Sequence, residues 1–213
     1  MRLCLSIALK RANQTLRSSI SLSAALVMAA LTQTGCQVTS TSQRITVASA
    51  GSISSLDPAQ VSTVHSLQLL SAIGDPLYSL NDDGSLQPRL AASKPTISAD
   101  GRLVTIPLRT DVRFHDGTHF DAEAMAFSLR RFLRIGTLSY VVGDRIKAVE
   151  VAAPYVLRLT LNRRSTSLEG LLTSINLTPL SPRAYAEHKD SFLHDNFVGT
   201  GAYRLTKFNE KQQ

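Results

Sequence analysis

The run RLVTIPLRTDVRFHDGTHFDAEAMAFSLRRF, residues 102–132, changes its hydrophobic period once, and that change fixes much of what the chain can become. Val104, Ile106 and Leu108 alternate with other residues and predict a strand with one apolar face. Pro107 has no N–H for a ladder, so the strand is expected at a sheet edge. Asp116-Gly117 ends the extended stretch in a turn. Asp121 then stands where a helix N-cap is wanted, and Glu123 falls in the first turn, where the helix dipole favours an acid. Met125, Leu129, Phe132 and Leu133 recur at helical spacing and give one apolar face. Arg130, Arg131 and Arg134 collect toward the C-terminal end, where cations are favoured. Strand, turn and helix in this order imply a mixed α/β (α+β) core.

The same run holds His115, Asp116 and His119 within five residues, which raises the question of chemistry. Two histidines four apart can share a zinc ion on one helix face, but Gly117 breaks any helix between them. Asp116 is expected to bond local backbone N–H groups in its turn. The remaining histidines, His65, His188 and His194, are scattered. No serine sits in a nucleophile-elbow pattern, and VGTGAY precedes an expected strand rather than the helix a dinucleotide loop needs. Neither a catalytic nor a metal residue is assigned, and Asp116 and Gly117 are read as turn residues.

Elsewhere the pattern is regular. RITVASA reads as a strand turning at Gly51, and Asp57-Pro58 as a turn before a helix carrying Val64, Leu67, Leu70 and Ile73. Asp83-Gly84 and Asp100-Gly101 mark two further turns, and IKAVEV with VLRLTLN reads as a hairpin burying Leu157, Leu159 and Leu161. SLEGLLTSI, capped by Ser167, and SPRAYAEH, capped by Ser181 with Pro182 at its first position, are short helices. VGTGAYRLTKF is expected to end the series as a glycine turn and a last strand.

The chain has 213 residues and a net charge of +7, and the position of that charge decides its meaning. Arg2, Lys10, Arg11 and Arg17 precede a short apolar stretch, SISLSAALVMAALT, and the first acid is Asp57. Beyond residue 35 there remain 19 cations against 16 acids, with no basic run interleaved with aromatics, which excludes a nucleic-acid partner. Basic start, apolar stretch and small polar residues are the layout of an export signal. With Thr34-Gly35-Cys36 it resembles a bacterial lipoprotein signal, which implies lipidation of Cys36 and a membrane anchor. Gln33 stands where that signal carries an aliphatic residue, so a plain secretory signal leaving Cys36 a free thiol is the alternative. Cys4 lies in the leader, so the exported chain has no internal disulfide.

Taken in order from Arg44 to Phe208, the motifs SLDPA, GDPLYSLNDDGSLQPRLA, the 102–132 run, IKAVEVAAPYVLRLTL and VGTGAYRL resemble the family 5 extracellular solute-binding proteins. These are oligopeptide, dipeptide and nickel-type receptors of ABC importers. Ala92-Ser93-Lys94 lacks the family's usual aromatic, Pro107 interrupts its strand, and Asp121-Ala122 replaces Thr-Ala. The resemblance implies a periplasmic-binding-protein type II-like first lobe, here incomplete. The organisation expected is an export signal at 1–35, a polar tether at 36–44 and a partial N-terminal lobe at 45–213. It implies an exported receptor that holds a peptide in a cleft without catalysis or cofactor and delivers it to a permease and an ATPase. Ligand contacts would come from the loop after Leu-Asp-Pro, here Ser62, Thr63, Val64 and His65, and from Tyr140. Two alternatives stay open: a truncated, non-binding fragment of such a receptor, and a metal-dependent enzyme using His115 and His119.

Overall fold

The computed structural model describes residues 47, 51–143, 145–164, 168–188, 193 and 196–209. The leader, Gln33, Cys36, the tether, Ser167 and His194 lie outside these residues, as does all of the strand expected before Gly51 except Val47. The chain divides into two units, Met1–Val47 and Ala48–Gln213, and the elements below belong to the second.

Helix α1 spans Val64–Ile73 and is followed by a hairpin of β1, Tyr78–Leu80, and β2, Leu86–Pro88. Next come β3, Thr96–Ile97, β4, Leu103–Pro107, and the long helix α2, Ala122–Ile135. A short helix α3, Ser139–Gly143, leads into β5, Ile146–Ala153, and β6, Val156–Leu161. Helix α4, Leu168–Leu172, a 3-10 turn at Ile175–Leu177 and α5, Pro182–His188, follow. The larger sheet has the order β3-β4-β6-β5 with every neighbour antiparallel.

The sheet and α2 bury each other's apolar faces. Val104, Ile106, Leu157 and Leu159 are at most 1% exposed, as are Met125 and Leu129 across from them. Burying each such side chain contributes roughly 1.5–3 kcal/mol. Phe114 and Phe120 pack edge to face in the same core, with ring centroids 6.1 Å apart. A second cluster gathers Leu56, Leu70, Ile73, Leu180 and Phe197 around α1. The Asp121 side chain accepts from the Ala124 N–H at 2.8 Å, the cap that the sequence calls for. All three Asp-Gly turns form, with Gly84, Gly101 and Gly117 at φ of 79°, 70° and 85°.

Two expectations are corrected. β4 is an interior strand, not an edge: it pairs with β6 along its length and with β3 over two residues. Along β4, residues 102 and 108 bond toward β6, so by alternation Pro107 turns its nitrogen the other way, beyond the end of β3. Its carbonyl, on that side, accepts from Ala92. In α1, which forms where the apolar spacing predicts it, Val64 is 65% exposed while Leu70 and Ile73 are buried. A three-residue repeat drifts about 60° per step, so a stripe that starts at Val64 has crossed the helix by Ile73. The last strand, finally, does not form among residues 198–209, because Gly201 and Tyr203 donate their N–H groups to Ile73 and Ala72 at the end of α1.

Candidate functional site

Asp57 closes a tight loop before α1. Its carbonyl accepts from Gln60 and Val61 at 2.9 and 3.0 Å, and its Oδ1 accepts from the Ala59 N–H at 2.9 Å. Both carboxylate oxygens also accept from Arg131 on α2, at 2.7 Å each, in a bidentate pair. The two side chains are 9% and 3% exposed, and the Tyr185 ring lies 5.1 Å from the guanidinium carbon. A cation read from sequence as a helix-end charge is therefore the buried partner of a loop 74 residues away.

Asn176 holds the same loop from the 3-10 turn. Its Nδ2 donates to the Pro58 and Val61 carbonyls at 2.9 and 2.8 Å. On the third side, Thr137 donates its N–H to Ala59, and Gln60 donates its Nε2–H to the Ile135 carbonyl, each at 2.8 Å. Loop 57–61, the end of α2 and the turn into α3 thus form one hydrogen-bonded block.

The expected contact residues leave this block at two points. Ser62 is exposed, Thr63 caps α1 by accepting from Ser66, and Val64 is open to solvent. The His65 ring is half-buried against Gly51, where an added Cβ would come within 2.1 Å of it. Thr63 belongs to a hydroxyl cluster with Ser54 and Ser66, two residues the sequence reading passed over. Tyr140, 72% exposed, lies on α3 three residues past Thr137. The block therefore carries both groups of candidates on segments that are bonded to each other.

Asp116, Gly117, His115 and His119 have other partners. Asp116 accepts from the Thr118 N–H and hydroxyl at 2.9 and 2.6 Å and from the Ser181 hydroxyl at 2.5 Å. Burial raises its pKa, but the bonds from Ser181 and Thr118 outweigh burial and hold the carboxyl below its ordinary value. His115 has a structural role. Its N–H donates to Gly199 at 2.9 Å, and its Nε2, facing the Gly201 carbonyl at 2.8 Å, donates as well. His119 is exposed. Among the described residues no group of three His, Cys, Asp or Glu side chains could hold a metal ion.

The family model for bacterial extracellular solute-binding proteins, family 5 Middle, matches residues 85–213. The chain belongs to this family. It is 30% identical over 169 residues to the glutathione-binding protein GsiB of Salmonella paratyphi A, covering 78% of this chain and 32% of that protein. Its fold is shared by many solved structures. The periplasmic binding protein DppA of Helicobacter pylori, in complex with the peptide STSA, has a TM-score of 0.67 at 27% identity over 75% of this chain and 36% of its own. NikZ of Campylobacter jejuni, with Ni(L-His), has 0.64 at 27% identity, over 75% and 32%. The fold is that of type II periplasmic binding proteins, and the chain spans about a third of the length of the curated relatives it matches.

The turn geometry gives a direct test. Gly117→Val should lower stability by about 1–3 kcal/mol, because a β-branched residue is strained at positive φ and a Cβ there meets nothing that could compensate. His119→Ala should change stability by no more than about 0.5 kcal/mol, as at other exposed sites. Denaturant unfolding of both variants checks this; equal, large losses would revive a metal role for His119.

Proposed function

We propose that this chain supplies one wall of the ligand cleft of an ABC importer's solute-binding component, and that its ligand is a short peptide. The observation that carries this reading is the hydrogen-bonded block around Asp57, which fixes one loop and offers Ser62, Val64 and Tyr140 to solvent beside it. Backbone groups of the loop are consumed internally, so its exposed side chains are free to meet a ligand. The names of the relatives support the ligand class, glutathione itself being a short peptide. The partners that follow are a permease and an ATPase, and no catalytic step is needed. A metal-dependent enzyme is disfavoured because the Nε2 of His115 and both oxygens of Asp116 already hold protein partners. The chain's span of about a third of its relatives favours, as a second reading, a fragment that does not bind alone.

Affinity in a two-walled cleft comes from enclosing the ligand. One wall forfeits a large part of those contacts, and a loss of about 4 kcal/mol weakens binding about a thousandfold. Titration calorimetry of the full chain with tripeptides and glutathione should therefore give dissociation constants no tighter than about 1 mM. A monomer that binds at micromolar strength or better contradicts the one-wall reading, and a chain that shows no interaction at tens of millimolar supports the non-binding fragment.

Export and anchoring complete the proposal. The leader with Thr34-Gly35-Cys36 supports lipidation of Cys36, which would hold the receptor at the outer side of a membrane. Several acyl chains hold firmly where one does not. Cys36→Ser should move the protein from the membrane fraction to the soluble fraction; unchanged fractionation would favour a plain secretory signal.

A further inference from the structure

Asn176 does more than hold the loop. Both of its bonds come from Nδ2 to carbonyl oxygens, and carbonyls only accept, so the amide plane and the identity of its two ends are fixed. The Oδ1 accepts no hydrogen bond among the described residues. Asn176 as a whole is 7% exposed, yet this oxygen is not sealed from solvent, so a donor entering from outside can reach it.

The residue lines a cavity of about 300 Å³ between the start of α3 and the α4 region. Phe132, Leu138, Val141 and Leu171 make its walls largely apolar, with Arg145, Ser174 and Asn176 as its polar members. An apolar chamber with one oriented acceptor suits a group that carries an N–H next to a hydrocarbon side chain. A peptide unit with an aliphatic side chain has that chemistry.

We propose that this cavity is a side-chain subsite for an aliphatic residue of the bound peptide, with the Asn176 Oδ1 accepting that residue's backbone N–H. This inference rests on the peptide-receptor reading and adds a preference for leucine-like residues over glycine at one position. It also gives Asn176 a double role, since the bonds that position the loop aim the acceptor.

Gly170 offers a variant that blocks the cavity without disturbing the fold. It lines the cavity from α4, and a Cβ added to it meets nothing within 4 Å. Gly170→Leu sets a bulky apolar side chain at the cavity wall, and replacing a helical glycine does not weaken the helix. The full chain, isotopically labelled, would be titrated with millimolar trileucine and, separately, triglycine. The expected result is movement of the Asn176 side-chain amide and the Val141 and Leu171 methyl signals with trileucine only. In Gly170→Leu those shifts should need at least tenfold more peptide, with an unchanged melting temperature. Shifts at Ser62–His65 with none at Asn176, Val141 and Leu171 would overturn the subsite and leave the receptor reading standing. Shifts at the cavity that Gly170→Leu leaves unaltered would overturn the subsite too. No shift anywhere would overturn both.

Discussion

The bidentate pair between Asp57 and Arg131 is the constraint around which the described structure is organised. Two ions taken out of water cost several kcal/mol each, and their attraction repays this only when geometry and further hydrogen bonds are good. Here both carboxylate oxygens are engaged, Oδ1 twice, and an aromatic ring lies beside the cation. Such a pair contributes little net stability over an apolar replacement, but breaking it leaves one charge buried and alone. It is therefore better understood as a registration device than as glue. It permits one position of the Asp57 loop against α2.

From that position the rest of the candidate site follows. Asn176, Thr137 and Gln60 can reach their partners only once the loop is in place, and each adds a hydrogen bond to it. The loop then delivers Thr63 to the start of α1, whose cap and hydroxyl cluster set the direction of the helix. At the far end of α1, Gly201 and Tyr203 bond to Ile73 and Ala72, and His115 reaches Gly201 from the strand–helix turn. The connection between cleft loop and turn thus runs through α1. Gly199 and Gly201 are required there because a Cβ on either would come within 2.4 Å of Ile73 backbone atoms.

Local features were legible in the sequence because each rests on neighbours in the chain. The Asp121 cap, the Asp-Gly turns, the hairpin of β5 and β6 and the α2 face all form where propensity and period place them. The long-range features were not. Arg131 has a local rationale as a cation near a helix end, and nothing near it in sequence names a partner 74 residues away. One signal was present: Ala124 and Ser128, small residues at helical spacing before Arg131, leave room for a long side chain on a buried face. Pro107 misled because the edge rule assumes that both sides of a strand are paired along its length, which β3 does not do. The final segment misled because an extended, glycine-containing run reads as a strand whether its N–H groups meet another strand or the end of a helix.

Amide hydrogen exchange in Arg131→Met reads out whether the buried pair holds the Asp57 loop in place. The Ala59, Val61 and Thr137 amides, all bonded within the block, should lose protection about a hundredfold or more, in line with the roughly 3–5 kcal/mol typical of breaking a buried pair. Leu108 and Leu161, which donate to Tyr155 and Arg102 at the two ends of the β4–β6 pairing, should lose far less. Equal loss at all five amides, or none at the first three, would show that the pair does not hold the loop in place.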